Sequence, residues 1–176
     1  MAVYSEKELV YARALAEGLI SDGSFRSWLT GLPELAEATH DPELQAARRS
    51  RTMKNPYWFN LWCGTCDRSN RHGCKIGTGI ETDVFLIFET RDGRTGCHIE
   101  VKRRGDRLGD GQALSYPRRA ACWSDPSRRP RTVPPHDRWR TILVHGDAQL
   151  TDAEATAFQR IVTHDDVAVR LPGYPE

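Results

Sequence analysis

Long apolar runs are missing from this 176-residue chain. The longest is only a few residues, so no segment reads as membrane-spanning. The N-terminal stretch MAVYSEKELV has neither a basic start nor an apolar centre. That excludes a secretory signal and makes the cytoplasm the expected location. Lysine is scarce, 4 residues against 21 arginines. No internal repeat, no Gly-rich phosphate loop and no legible Ser-His-Asp arrangement occurs, so solenoids, P-loop nucleotide binding and serine-type acyl transfer drop out.

What is present suits one globular domain. Hydrophobic residues make up 39% and charged residues 28%, ordinary values for a soluble fold with a real core. The single domain, 1–176, divides into N-terminal helices (1–55), an aromatic segment and cysteine loop (56–79), a core (80–145), and a C-terminal helix and strand (146–176). The net charge of +1 hides an asymmetry. Residues 102–140 carry 11 basic and 4 acidic side chains, net +7, whereas 1–50 and 141–176 are net −3 and −4. A basic stretch of this size fits a polyanionic partner, and arginine-rich codon usage would also produce it.

Local signals set the elements. Ser5 and Glu8 form a capping box, and Leu9, Ala12, Leu15, Ala16 and Leu19 recur at helical spacing, predicting a helix over about 5–20. SFRSWLTGL adds a short helix, and Asp41-Pro42 starts another over about 42–51. NPYWFNLW reads as extended. Strands follow over about 83–90 and 96–103, joined at RDGR. A helix begins near Asp110, with a kink or break at Pro117. Residues 124–138 are loop, RWRTILVHG is a strand, a capping box at Thr151–Glu154 opens a helix to about 163, and VAVRL is a terminal strand.

The hairpin carries charges where a buried pair of strands would avoid them. With Asp92-Gly93 as the turn, Lys102 lies opposite Asp83 and Glu100 opposite Phe85. Period-two alternation puts Asp83, Glu100 and Lys102 on one face. Two carboxylates can hold Mg²⁺, which takes oxygen ligands and keeps several waters. An Asp83–Lys102 cross-strand pair, with Glu100 solvated, is the plainer alternative. Glu81 and Glu17 are further acids, expected to be solvated.

Asp83 heading one strand, Glu100-Val101-Lys102 on its partner, and Gln112 in the helix after it resemble the PD-(D/E)XK nuclease superfamily. The resemblance covers about 80–145 plus the first helix, with Thr82 standing where the family often has proline. It implies an α/β fold with a restriction-endonuclease-like αβββαβ core: a mixed central sheet flanked by helices, the cysteine-rich loop inserted before the hairpin. By the same resemblance Asp83, Glu100 and the Val101 carbonyl bind Mg²⁺ or Mn²⁺, Lys102 positions the attacking water, and Gln112 orients water or Lys102. Tyr116, four residues on, shares the helical face of Gln112 and supports either site or substrate.

Cys63, Cys66, His72 and Cys74 form C-x₂-C-x₅-H-x-C. The first half has zinc-knuckle spacing. The second half is unusual, because only Gly73 separates its two ligands, so Cys97 or Cys122 remains an alternative fourth ligand. A structural Zn²⁺ is the expectation, with an iron–sulfur cluster or free thiols as alternatives. His98 lies on the Glu100 face, and His40, His136, His145 and His164 fall near termini or loops.

Two functions follow. One is a divalent-metal-dependent endonuclease acting on nucleic acid, DNA first, with Arg103, Arg104, Arg107, Arg118 and Arg119 on backbone phosphates, alone, as a homodimer or with a partner protein. The other is a catalytically inactive domain that binds nucleic acid or a protein through the arginines and cysteine loop.

Overall fold

A computed structural model of the chain describes residues 6–47, 56–62, 71–76, 81–146 and 149–175. Two ten-residue strands, β2 (Glu81–Thr90) and β3 (Gly93–Lys102), form its centre. β1 (Phe59–Trp62) lies antiparallel against β2, while β4 (Arg138–His145) and β5 (Arg160–Thr163) run parallel beyond β3. The result is a five-stranded mixed sheet in the order β1-β2-β3-β4-β5. Helices α1 (Glu6–Ser21) and α2 (Gly23–Thr30) contact the sheet through one cluster, and α4 (Gln112–Ser124) through the others; α3 (Pro42–Ala46), α5 (Asp152–Ala157) and α6 (His164–Arg170) are the other α-helices among the described residues. Among the described residues no helix is long and apolar enough to cross a membrane.

Strand alternation sorts the core. Val84, Leu86, Phe88, Cys97, Ile99, Val101, Ile142 and Val144 join Leu15, Leu19 and Leu29 of α1 and α2 in one cluster. Phe85 and Ile87 point the other way, toward Cys122 and Trp123 of α4. The outer edge of β2 is closed by parts. β1 covers its first residues, and the Gln45 amide stands in for a strand beyond them. It donates to the Phe85 carbonyl (2.5 Å) and accepts from Ile87 N–H (3.2 Å). Thr39 then bridges Glu89.

Helix starts follow capping chemistry. Asp22 accepts from Phe25 N–H (3.0 Å), and Asp41 accepts from Leu44 N–H (2.9 Å) ahead of Pro42. Thr151 and Glu154 close a capping box. The Ser5 half of the first expected box, and residues 48–51 of the third expected helix, lie outside the described residues.

Four expectations need correcting. The hairpin turns at Arg91-Asp92, because Thr90 pairs with Gly93. Gly93 (φ 121°) is needed one position later: a Cβ there would sit 2.3 Å from the Asp137 carboxylate, which accepts from Arg94 N–H (3.1 Å). Helix α4 runs through Pro117 without a break, since its buried face of Ala113, Tyr116, Arg119, Ala120 and Trp123 outweighs the one backbone bond that proline removes. The helix expected to 163 stops at Ala157, because Arg160–Thr163 pairs with β4. VAVRL is helical. A capping box of Thr163 and Asp166, unread in the sequence, starts α6.

Candidate active site

The β2–β3 ladder holds from Thr90–Gly93 to Val84–Ile99. The corrected turn moves the pairing by two residues, so continuing it sets Asp83, not Phe85, across from Glu100. All three charged residues keep their common face. Beyond Val84 the strands part: Asp83 Oδ2 accepts from Val101 N–H (2.8 Å), a carboxylate taking the place of a ladder carbonyl. In a strand the N–H and C=O of one residue point the same way, so the Val101 carbonyl faces this opening as well.

Glu100 lies at the bottom of the opening with zero exposure. Three donors surround it. Lys102 Nζ is 2.7 Å from Oε1, Gln112 Nε2 donates to Oε1 at 2.6 Å, and the Tyr116 hydroxyl donates to Oε2. Gln112 is itself fixed, because its Oε1 accepts from Gly109 N–H (2.8 Å). Gln112 and Tyr116 reach one carboxylate because positions four apart share a helix face. Three donors use three of the roughly four lone-pair directions a carboxylate offers. Among the described residues, the remaining direction on Glu100 and the Asp83 Oδ1 carry no hydrogen bond.

Electrostatics push the acids apart. Burial, then the charge of Glu100, raises the Asp83 carboxyl well above the usual range. Glu81 is half-buried rather than solvated, and burial followed by Glu100 raises it to about 7. Its Oε2 is buried without a partner. For Lys102, burial disfavours the charged form, but the Glu100 carboxylate outweighs it and holds the pKa above its ordinary value. Lys102 is therefore an ammonium at neutral pH, a donor and not a base. Glu8 of α1 adds to this field and stands 3.9 Å from Arg103. Glu8, not Glu17, is the α1 acid near Lys102, and the sequence reading used Glu8 only as a cap.

The arginines divide. Arg119, expected on phosphates, is 1% exposed and turned inward. It donates to the Glu81 carbonyl and to Thr82 Oγ1 (3.3 Å), and its guanidinium covers the Tyr116 ring. Tyr116, expected to support site or substrate, has zero exposure, and its hydroxyl donates to Glu100. Arg103 is paired with Asp106 (2.8 Å) and Arg104 with Asp165. Arg107 and Arg118 are exposed.

His98 does not approach the acids. It is fully buried among Phe85 (4.7 Å), Trp123 (5.0 Å) and His136 (6.3 Å), with neither ring nitrogen bonded. His164, read in the sequence only as lying near a terminus or loop, holds the end of β3: Nε2 lies 2.9 Å from the Lys102 carbonyl and Nδ1 lies 2.8 Å from the Tyr174 hydroxyl.

Cys63 and Cys66 lie outside the described residues. Cys74 is buried in the α4-side cluster with Cys122, and His72 Nδ1 is 3.6 Å from Cys122 Sγ. Cys97 belongs to the opposite cluster, which removes it as a partner of Cys74. Among the described residues no group of three or more His, Cys, Asp and Glu is arranged to hold a metal ion.

No protein-family model, no curated protein and no solved structure matches this chain.

Proposed function

We propose that the chain is a divalent-metal-dependent phosphodiesterase of the PD-(D/E)XK kind, an endonuclease acting on nucleic acid, DNA first. The observation that carries this reading is Glu100: a carboxylate with zero exposure, held by Lys102, Gln112 and Tyr116, beside Asp83 where the ladder opens. The order α1, β1, β2, β3, α4, β4 supports a restriction-endonuclease-like αβββαβ core.

The donor set fits a small hard cation: carboxylate oxygens of Asp83 and Glu100 with the Val101 carbonyl, short of a full protein cage. Mg²⁺ commonly binds through one or two carboxylates, completing its shell with water and substrate phosphate. Bound there, such an ion supplies Lewis acidity toward a phosphoryl oxygen and a water of lowered pKa. The chain's own groups do the rest. Lys102, kept charged, orients the attacking water and offsets charge building on the phosphate. Gln112 and Tyr116 fix Glu100, and Arg119 fixes the β2 backbone at Glu81. Arg107 and Arg118 offer exposed charge to a phosphate backbone, and site selection is left to a second copy or a partner protein.

The test is hydrolysis of duplex DNA, single-stranded DNA and RNA with Mg²⁺ or Mn²⁺, with Lys102→Ala alongside. Lys102→Ala should fold and lose most cleavage. Hydrolysis of none of the three by wild type would sink the proposal. The second reading, a non-catalytic nucleic-acid-binding domain, draws on the same network, because three donors on Glu100 also close a purely structural cluster. Binding without cleavage would favour it.

A further inference from the structure

Where β4 begins, the sheet holds a cavity of about 380 Å³, a size within the range of small-molecule sites. Two arginines and two carboxylates line it: Arg138, Arg140, Glu34 and Asp137. Opposite charges share the cavity, yet among the described residues none of the four forms an ion pair. Three of them are tied down by other bonds. Arg138 and Arg140 alternate along β4 in phase with Ile142 and Val144, which places them on the α2 side. Arg140 Nε donates to the Thr30 carbonyl (2.7 Å), and Arg138 Nη2 donates to Thr90 Oγ1 (3.2 Å). Asp137 Oδ2 accepts from Arg94 N–H (3.1 Å). Gly31, left-handed at φ 65°, leaves room for this arrangement, since a Cβ there would meet Arg140 Nη2 at 3.1 Å. Arg138 Nε is buried with no partner. Such a donor destabilises the fold until a ligand or a water supplies an acceptor. Gln159, also in the lining, spends its oxygen on Thr141 N–H (3.0 Å), so its amide nitrogen is the donor left over.

We propose that this cavity binds a nucleoside monophosphate, its phosphate on Arg138 and Arg140 and the hydrogen-bond donors of its sugar and base on Glu34 and Asp137. A guanidinium offers several N–H donors in a fork that matches phosphate oxygens. Carboxylates only accept, so they suit hydroxyl and amino groups. A bare phosphate, or the run of phosphates along a nucleic-acid chain, would meet the same two carboxylates as like charges. Leu32 and Trp139 add apolar lining, which a sugar and base can cover and an inorganic ion cannot. The site is separate from the acids. Thr95, in the lining, pairs with Arg138, and Lys102 pairs with His145. Seven residues of β3 therefore lie between cavity and Lys102, about 23 Å of strand. The two sites also open on opposite faces of the sheet, because Glu100 and Lys102 lie toward α4. A ligand here is thus an effector and not the substrate of the acid site, and the inference does not rest on the nuclease reading.

The experiment titrates the intact chain with AMP, GMP, CMP and UMP separately, with chelator present so that no metal bridges phosphate to the acids. At least one should bind with a dissociation constant below about 1 mM. The matching nucleoside and inorganic phosphate should each bind at least roughly tenfold more weakly. Arg138→Gln should weaken the nucleotide roughly tenfold, whereas Asp83→Asn should bind it as wild type does. Amide resonance shifts in wild type, which need no variant to fold, should centre on Thr95, Arg140 and Gln159. Binding of none of the nucleotides, inorganic phosphate bound as tightly as the best of them, equal affinity in a folded Arg138→Gln, weakened binding in a folded Asp83→Asn, or shifts centred on Asp83 and Glu100 would each overturn the proposal.

Discussion

The two faces of β3 come from alternate residues of one strand, and they bury opposite kinds of chemistry. Toward α1 and α2 lie Cys97, Ile99 and Val101, in a cluster with leucines and valines. Toward α4 lie His98 and Glu100, both with zero exposure, and then Lys102. A charge is buried near the first face too, but it is used differently. Arg26 gives its guanidinium to five backbone carbonyls, those of Leu19, Ile20, Leu35, Ala36 and Ala38. Glu100, among the described residues, is held by side chains alone. A charge satisfied by backbone is committed to the fold. A charge satisfied by side chains, at a point where two strands separate, remains available for chemistry.

Four substitutions break or sharpen this contrast. The largest effect belongs to Asp83→Asn. Cleavage should fall by about 10³-fold, a loss of about 4 kcal/mol in transition-state stabilisation. The melting temperature at pH 8 should hold or rise slightly, because burial and Glu100 already disfavour the Asp83 charge and asparagine can still accept from Val101 N–H. Cleavage rates and thermal melts on one preparation check both halves, and an unfolded variant would make Asp83 structural. On the other face, Leu86→Ala removes a side chain of zero exposure. It should cost about 3 kcal/mol in urea unfolding while leaving cleavage by the folded fraction unchanged; a rate loss at full occupancy would erase the distinction between faces.

Tyr116→Phe deletes one donor to Glu100 and should cost about 1.5 kcal/mol, with activity down about tenfold. Equilibrium unfolding beside steady-state rates measures this, and an inert substitution would show that the hydroxyl does not position Glu100. His98→Phe is the gentlest. Burial, then the neighbouring His136, holds His98 well below its ordinary pKa, so the folded state leaves it neutral while the unfolded state takes up a proton below about pH 6.5. Stability therefore drops as pH falls below that point. Phenylalanine removes the two unpaired ring nitrogens and this slope together. It should stabilise by about 1 kcal/mol at pH 7 and flatten the melting profile between pH 7 and 5. A steeper profile would mean that His98 is hydrogen-bonded or charged in the native protein.

How legible all this was depended on how local the cause was. Helix α1, the hairpin and β4 follow from periodicity and turn chemistry. The common face of Asp83, Glu100 and Lys102 survived a wrong register, because the error in the turn shifted the pairing by an even number of residues. The turn itself was missed because Gly93 answers to Asp137, 44 positions away. The terminal helix was missed because β-branched residues in VAVRL outvoted an aspartate serving in the capping box. Arg119 read as a phosphate ligand because an arginine beside another in a basic stretch looks exposed. Only the phase of α4, set by Gln112 and Tyr116, could have turned it inward. Donors around Glu100 come from a helix and from its own strand; the Gln112–Tyr116 spacing and the common face of Glu100 and Lys102 were visible in advance, but not that all three donors meet on Glu100.

The His164 ring has one further use. A carbonyl can only accept, so the bond to Lys102 requires a proton on Nε2, and burial keeps the ring neutral. Nδ1 then accepts from Tyr174, while Tyr11 packs at 4.6 Å from the ring. A single tautomer, shielded on two sides, should give an imidazole proton slow enough in exchange to show its own magnetic resonance line, which a proton spectrum in water checks. That line sits one hydrogen bond from the backbone of Lys102, so its frequency reports whether a ligand at the acids tightens or slackens the strand end, with no label added.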